Sequence, residues 1–436
     1  MIRKQGRLER AWLFGYSLAF RLVFFLVSRI LGLIPKYSEL LAKREEWSLD
    51  LQTWVALRQR RRLCVLIFCS SAGEYEQAKP LIDRFHHNLD VTIFLVFFSV
   101  SGARYASVRG ESNPFMVMPT DDPRFWRPFF AALHPDLCVV VRHELWPGFL
   151  STARCFAKVA LINGTADPRA GRARGLVKRL LLNFFDYIAV SSPNDREAFL
   201  RLGVQNVPLV VTGDTKFDRV IERARVETGP KIEQAVRERF GKRRWFVVGS
   251  AWEEEVGCVL GAYQMLRPLA GGDDWLLLIA PHDVCPQKID WIEHQCRAAG
   301  IKAELLSCRE PADSQSASHV LIIDSIGHLA ELYSGAELVL VGGGMGGKVH
   351  NVLEPAVYGA YVAMGPRFHN SREAVMLEKE GLIEVVTQPE DLFAWWVLHH
   401  RDRKSFPNAQ LANKVQRLAG AADRLYLTFQ EMVKTS

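Results

Sequence analysis

Short apolar runs separated by helical segments are the feature that most constrains the fold of this chain. In the first half these runs are residues 63–69, 91–98, 137–141, 159–162, 187–190 and 208–211. In the second half they are residues 245–248, 275–279, 320–323, 338–341 and 361–364. Because apolar residues are not interrupted by polar ones, the runs predict strands buried on both faces. Such strands, alternating with helices, form parallel sheets that helices cover on both sides.

Because the pattern stops and then restarts, it predicts an α/β protein with two tandem Rossmann-like domains. The first domain is predicted at residues 36–215, a linker at 216–241, the second domain at 242–405 and a C-terminal helix at 406–436. In folds of this kind ligands bind beyond the carboxyl ends of the strands. The loops that follow the strands are therefore the places to search for a site.

Residues 1–35 have a different character, because an arginine-rich leader precedes an almost uncharged apolar segment. On a helix, at about 100° per residue, the polar side chains fall on one narrow stripe. The members of this stripe are Arg3, Arg10, Ser17, Arg21 and Ser28. The pattern predicts a basic, apolar membrane-anchoring helix that lies in the interface or has its stripe covered by protein. Its positive charge favours the cytoplasmic face. An ordinary buried helix is the alternative.

The composition narrows the class of partner. The 436 residues carry a net charge of +7, and 49% of them are hydrophobic, which indicates a folded protein with an affinity for anions. The arginines cluster with the apolar leader and not with aromatic stacking positions, so an anionic membrane surface is favoured over nucleic acid. A second basic run at residues 168–179 is either a solvated face or a contact with lipid phosphates. The eight cysteines are scattered without C-x-x-C spacing and predict neither a disulfide framework nor a zinc site.

A glycine cluster follows the apolar run 338–341 and leads into His350-Asn351-x-x-Glu354-Pro355. Backbone N–H groups at glycines and at a helix start favour phosphate, and a carboxylate there can accept hydrogen bonds from sugar hydroxyls. The segment therefore indicates a nucleotide-sugar pocket. It also matches G-x-G-x-x-G, but no acidic residue stands at the end of the next strand, which argues against NAD. Asn351 and Glu354 could instead form a simple capping box.

Both halves also open with an S-x-x-E pattern directly after their first strand. Ser71 and Glu74 form it in the first half, and Ser250 and Glu253 form it in the second. Each pattern predicts a capped helix start. For Glu74 a second role is open, because a carboxylate at a strand end can act as a general base. The helix start is expected to keep Glu74 ionised.

Taken together, the motifs resemble those of the 3-deoxy-D-manno-octulosonic acid (Kdo) transferases of Gram-negative bacteria. The matching blocks begin with Ser71-Ala-Gly-Glu74-x-Glu76, Pro135-Asp136, Glu144-Leu145-Trp146-Pro147, Asn163-Gly164 and the run VTGDTKFD at residues 211–218. They continue with Gly249-Ser250, Ala280-Pro281-His282, the run DSIGHL at residues 324–329 and His350-Asn351-x-x-Glu354-Pro355. The resemblance covers nearly the whole chain.

This resemblance implies a two-Rossmann GT-B glycosyltransferase that moves Kdo from CMP-Kdo onto the lipid A precursor lipid IVA, with inversion and without a metal or other cofactor. The acceptor would bind in the N-terminal half and the CMP-sugar in the C-terminal half. Glu74 is implied as the catalytic base. The implied CMP-binding residues are Pro281, His282, Ile326, Gly327, His328, Asn351, Val352, Leu353 and Glu354. Further candidates for the site are Ser71, Gly73, Glu144, Ser250, Lys348 and His350.

The chain departs from the family pattern at several of these positions. His282 stands where many members have arginine, His328 where many have glutamate, and Arg142 where many have another glutamate. The expected partners are CMP-Kdo, the lipid A precursor and the anionic cytoplasmic face of the inner membrane, with no nucleic acid. Two alternatives are a GT-B enzyme for another nucleotide sugar and a membrane-associated relative without catalysis. The presence of both Glu74 and Glu354 argues against the second.

Overall fold

A computed structural model describes residues 15–18, 20, 47–58, 63–88, 90–118, 120–165, 172–226, 231–308, 318–401 and 408–434. The chain divides into two compact units. The first contains Met1–Arg219 and Leu418–Ser436, and the second contains Val220–Arg417. Each unit contains a parallel sheet with helices, as the uninterrupted apolar runs predict.

The first unit is built on a seven-stranded parallel sheet with the order β3-β2-β1-β4-β5-β6-β7. Its strands are β1 (Leu63–Cys69), β2 (Val91–Phe97), β3 (Phe115–Val117), β4 (Leu137–Val141), β5 (Lys158–Gly164), β6 (Tyr187–Val190) and β7 (Leu209–Val211). Its helices are α1 (Trp47–Leu57), α2 (Ala72–Asn88), α3 (Val100–Val108), α4 (Pro123–Leu133), α5 (Pro147–Ala153), α6 (Arg172–Leu182) and α7 (Pro193–Arg201).

The central strand β1 shows why its run carries no polar residue. Leu66 and Phe68 lie in one apolar cluster of the first unit, whereas Val65 and Ile67 lie in another. All four side chains are fully buried. Both faces of the strand are therefore covered, and a polar side chain on either face would lose its contact with water.

Helix α4 illustrates how local sequence sets an element. Asp122 accepts a hydrogen bond from the backbone N–H of Arg124, and Pro123 occupies the first helical position, so the start of the helix is defined. Its buried side chains recur at helical spacing and are Phe125, Trp126, Phe129, Phe130 and Leu133. This apolar face packs against the sheet and α5.

The second unit repeats the arrangement with the strand order β10-β11-β9-β8-β12-β13-β14. Its strands are β8 (Arg244–Ala251), β9 (Trp275–Pro281), β10 (Ala303–Leu305), β11 (Val320–Ile322), β12 (Leu338–Val341), β13 (Tyr361–Met364) and β14 (Glu384–Val385). Its helices, after α8 (Thr215–Val226), are α9 (Lys231–Phe240), α10 (Glu253–Leu266), α11 (Pro286–Ala298), α12 (Leu329–Ser334), α13 (Leu353–Val357), α14 (Arg372–Lys379), α15 (Pro389–Arg401) and α16 (Ala409–Leu418).

The segment predicted as a linker, residues 216–241, is largely helical, because α8 and α9 occupy most of it. The predicted C-terminal helix at 406–436 is described as two helices, α16 and α17 (Ala421–Lys434). The last of these belongs to the first unit. It is held there by Asp423, which pairs with Arg84 at 2.7 Å, and by Asp218, which accepts the N–H groups of Gly420 and Ala421.

Most of the predicted membrane-anchoring segment, residues 1–35, lies outside the described residues. Residues 15–18 and 20 are described and are helical. The hydroxyl of Tyr16 donates to Asp121 at 2.9 Å, and Ser17 of the predicted polar stripe is buried beside Asp122. No helix in the described part of the chain combines the length and hydropathy that a bilayer crossing requires.

Candidate functional site

In the first unit, two carboxylates lie at the point where the strand order reverses. The chain leaves β1 toward β2 and β3 on one side, and β4 continues the sheet on the other side. Loops that follow neighbouring strands at such a reversal form a crevice. Glu74 follows β1 and Glu144 follows β4, so the topology brings the two residues to this crevice.

Glu74 lies in the first turn of α2 and contacts its own helix start. Its carboxylate accepts the backbone N–H of Ser70 at 2.5 Å, and its backbone N–H donates to the hydroxyl of Ser71 at 3.4 Å. The capping interaction predicted from S-x-x-E is therefore present. Gly73 is exposed and has open space where a Cβ would stand.

Glu144 is held by an aromatic partner and not by a base. Its carboxylate accepts the indole N–H of Trp146 at 2.6 Å, and Trp146 is stacked on Phe98 with ring centroids 4.8 Å apart. Arg142, two residues before Glu144, bonds instead to Asp214 at 3.0 Å and to Gln77 at 2.7 Å. The backbone of Arg142 has a φ of 58°, in the left-handed region that non-glycine residues seldom adopt.

Burial raises the pKa of both carboxylates, and the charge of Glu144 adds to the shift of Glu74. Burial, together with the nearby charge of Glu144, raises the pKa of Glu74 to about 7, against the opposing hydrogen bond from Ser70. Burial also raises the pKa of Glu144, while hydrogen bonds from Trp146 and Ser70 oppose the shift. The expectation that the helix start keeps Glu74 fully ionised is therefore wrong, because desolvation and a like charge outweigh it. A pKa near neutrality suits proton transfer in either direction.

In the second unit, the helix after the first strand begins later than the S-x-x-E pattern predicts. Strand β8 continues through Ala251, and Glu255, not Glu253, accepts the N–H of Trp252 at 3.0 Å. Glu253 instead pairs with Lys288. Ser250, with a φ of 52°, therefore lies in an irregular strand end and does not cap the helix. Its predicted capping role is wrong.

The glycine loop after β12 is packed closely against the protein itself. A Cβ at Gly342 would stand 2.1 Å from the carbonyl oxygen of Ser250, and Gly343 has a φ of 83°. Only glycine fits both positions without strain. The buried Glu255 accepts the N–H of Met345 at 2.9 Å and so ties this loop to the start of α10. The loop thus holds Lys348 and His350 beyond the ends of neighbouring strands.

The loops that follow three adjacent strands, β9, β8 and β12, bring three aromatic side chains into contact. His282 follows β9 and stacks on Trp252, which follows β8, with centroids 4.7 Å apart. His350 belongs to the glycine loop after β12, and its ring centroid lies 4.6 Å from that of His282. It accepts the indole N–H of Trp252 at 3.3 Å. Burial and the neighbouring His282 lower the pKa of His350. A bound anion would favour the charged form and oppose this shift.

A small cavity lies beside these rings, and the predicted donor residues Pro281 and His282 line it. Trp252, whose side chain is 44% exposed, lines it as well. The structure thus brings Pro281, His282 and His350 together. Sequence reasoning missed Trp252, although its position directly after a buried strand was a usable signal.

The alternative that Asn351 and Glu354 form a capping box is wrong. Helix α13 begins after Val352, which makes no side-chain cap hydrogen bond. The carboxylate of Glu354 instead accepts two side-chain donors, Asn351 and Arg223, each at 3.2 Å. Asn351 in turn accepts the N–H of Leu353, which forms a local turn. Val352 and Leu353 are fully buried and serve the packing of this turn.

The remaining predicted donor residues lie in the loop between β11 and α12. Ile326 is 84% exposed, and Gly327 has a φ of 101°. His328 precedes the first residue of α12. An exposed isoleucine at a strand end is available to a planar ring of a ligand.

Fold and site together define a class: a two-unit α/β protein of the GT-B type, with polar and charged groups at the strand reversals. Solved structures agree on the fold. The UDP-GlcNAc 2-epimerase from Neisseria meningitidis superposes with a TM-score of 0.60 at 12% identity, over 85% of this chain and 100% of that one. At this identity the likeness concerns the fold alone.

Sequence comparisons give matches to one family. Residues 45–219 match the family described as 3-Deoxy-D-manno-octulosonic-acid transferase (kdotransferase). The 3-deoxy-D-manno-octulosonic acid transferase of Aquifex aeolicus is 26% identical over 72% of this chain and 80% of its own length. That of Haemophilus influenzae is 24% identical over 74% of this chain and 75% of its own length. These matches confirm the resemblance of the motifs to those of the Kdo transferase family.

One relative extends well beyond the part that matches this chain. The bifunctional glycosyltransferase/methyltransferase of Fusobacterium nucleatum is 25% identical over 70% of this chain, but the chain spans about half of that protein, 48% of its length. The relatives together indicate a glycosyltransferase.

Proposed function

We propose that this protein transfers Kdo from CMP-Kdo to the lipid A precursor lipid IVA in lipopolysaccharide biosynthesis, with inversion and with Glu74 as the general base. The observation that carries the proposal is a carboxylate with a pKa of about 7 at the strand reversal of the first unit. The similarity to Kdo transferases supports the choice of sugar and donor.

The proposed reaction is a single displacement at the anomeric carbon of Kdo. A hydroxyl of the acceptor forms the new C–O bond while Glu74 takes its proton, because the hydroxyl is too weak an acid to ionise beforehand. The bond between the anomeric carbon and the phosphate oxygen breaks, and CMP leaves with the electron pair. For this step the carboxylate of Glu74 turns from Ser70 toward the acceptor.

The leaving phosphate needs positive charge and N–H donors. His282, His350 and Lys348 are the basic side chains that the strand ends and the glycine loop of the second unit supply. These groups can stabilise the developing charge without a metal ion. Glu354 is proposed to accept hydrogen bonds from the ribose hydroxyls of the donor.

The direct test is incubation of the purified protein with CMP-Kdo and tetra-acylated lipid A precursor. Mass spectrometry of the lipid is expected to show the added mass of Kdo, and chromatography is expected to show release of CMP. CMP-sugars with other sugar acids serve as competing donors. If the protein turns over another nucleotide sugar and does not turn over CMP-Kdo, the proposed donor is wrong.

Replacing Glu144 by glutamine is expected to shift the acidic limb of the transfer rate to lower pH. Glu74 must be deprotonated to act as a base, so with a pKa of about 7 the wild-type rate falls as the pH drops below neutrality. The like charge of Glu144 raises that pKa, and its removal lowers it. The amide can still accept the indole N–H of Trp146. The measurement is turnover against pH at saturating substrates, and an unmoved limb would exclude the coupling.

We further propose that residues 1–34 attach the protein to the cytoplasmic face of the inner membrane. The support is the basic leader and the apolar segment that follows it. Deletion of residues 1–34 is expected to move the protein to the soluble fraction while CMP binding is retained. Fractionation with a high-salt wash, beside a calorimetric titration, measures both. A truncated protein that stays on the membrane through the wash would place the anchor elsewhere.

A further inference from the structure

Arg223, in the second unit, makes a charged contact with the proposed donor residue Glu354 and belongs to none of the motifs. It lies on α8, and its guanidinium donates to Glu354 at 3.2 Å, across 131 positions of sequence. Both side chains are largely covered, with 21% and 22% of their surface exposed. The same oxygen of Glu354 accepts the amide N–H of Asn351, so two donors fix one side of the carboxylate.

An ionised carboxylate can accept several hydrogen bonds at once, and both Arg223 and Asn351 donate to Glu354. An ionised acceptor held by a guanidinium loses rotational freedom before a ligand arrives. Hydrogen bonds that a ligand then makes to it cost less ordering. Asn351 alone is a weaker tether, because it is neutral and belongs to the same local turn.

Charge gives a second reason for an arginine at this position. The proposed donor carries a negative phosphate, and an uncompensated carboxylate beside it would repel it. The guanidinium of Arg223 offsets the charge of Glu354 at hydrogen-bond distance. A lysine could supply the charge, but not the fixed geometry of the planar guanidinium.

We propose that Arg223 is a positioning residue for donor recognition: it holds Glu354 in the orientation and charge state that reads the two ribose hydroxyls of a nucleoside monophosphate. The inference rests on the proposed function, because it takes CMP-Kdo as the donor and Glu354 as its ribose contact. Arg223 itself touches no part of the substrate in this assignment.

The test compares two probes, CMP and 2′,3′-dideoxy-CMP, by calorimetric titration of the full chain. The wild type is expected to prefer CMP, and the ratio of the two dissociation constants is the readout. Arg223→Met is expected to weaken CMP binding roughly 10- to 100-fold. Dideoxy-CMP, which loses only the compensation of charge beside its phosphate and no ribose contact, is expected to weaken less, so the ratio falls toward one. Arg223→Lys is expected to retain part of the ratio.

Two controls separate positioning from a general effect on the fold. Arg219→Met removes an arginine of the same helix, whose side chain is 22% exposed and paired with Glu76 of the first unit, and it is expected to leave the ratio unchanged. Adding Arg223→Met to Glu354→Gln is expected to cause no further loss of CMP affinity, since both substitutions act through one contact. If Arg223→Met does not fold, Arg223→Lys and melting curves decide the question.

The outcomes are distinguishable. A wild-type protein that does not bind CMP overturns the proposed donor and, with it, this inference. A wild type that binds CMP and dideoxy-CMP equally overturns the ribose role of Glu354 and therefore that of Arg223. A folded Arg223 variant that keeps the wild-type ratio overturns the role of Arg223 alone.

Discussion

Replacing Glu74 by glutamine is expected to lower turnover about 10²–10⁴-fold, the usual contribution of a general base. Glutamine has nearly the same shape and cannot take up the proton of the acceptor hydroxyl. Its amide oxygen can still accept the backbone N–H of Ser70, which the carboxylate of Glu74 accepts at 2.5 Å. The melting temperature and the affinity for CMP are therefore expected to stay near those of the wild type. The loss of turnover would then be assigned to the chemical step, and not to folding or donor binding.

This substitution separates the two roles that the sequence left open for Glu74. If Glu74 serves only as a cap, Glu74→Gln keeps its turnover, and Glu74→Ala loses about 0.5–2 kcal/mol of stability. A matched control is Glu197→Gln. Glu197 lies in the same unit, is exposed and forms an ion pair with Arg201. Near-normal turnover in a folded Glu74→Gln variant would assign the residue to the helix start.

Replacing Glu354 by glutamine or alanine is expected to weaken the binding of CMP by about 1.5–3 kcal/mol, the contribution of a hydrogen bond to a charged group. The ribose hydroxyls lose an ionised acceptor, and with glutamine the amide no longer attracts Arg223 as an ion. Because α13 is not capped by this side chain, the stability of the protein is expected to change much less than the affinity. Calorimetric titration of CMP beside a melting curve measures both.

A control for this experiment is Glu380→Gln in the same unit. Glu380 pairs with Lys414 at 2.7 Å and is 40% exposed, so its removal tests the loss of an ordinary surface ion pair. The expected result is unchanged CMP affinity. If Glu354→Gln and Glu380→Gln behave alike, Glu354 belongs to the architecture of the turn and not to the donor site.

Much of the fold could be predicted from the order of apolar runs. The strand at residues 63–69 agrees with β1 to the residue, and the runs at 338–341 and 361–364 agree with β12 and β13. These runs are readable because burial on both faces excludes polar residues along their whole length. The short strands β3, β10 and β14 were not predicted, because two or three residues at a sheet edge leave no periodic signal.

The candidate site was predictable as a set of loops and not as a set of contacts. Glu74 and His350 were found because they lie in loops that follow strands, where ligands of such folds bind, whereas His282 was reached only through the resemblance to Kdo transferases. The partners of these residues were not found. Ser250 and Glu253 match a capping pattern as well as Ser71 and Glu74 do, yet only the second pair forms it.

The sequence by itself determined the two parallel sheets, the restart of the pattern between them and the resemblance to Kdo transferases, since these depend on residue type and order along the chain. Only the tertiary structure decided the state of the charged groups. The pKa of Glu74 depends on its burial beside Glu144, 70 positions away in the numbering, and the orientation of Glu354 depends on Arg223. Desolvation and long-range ion pairing are set by what surrounds a group in space, and local sequence does not encode those surroundings.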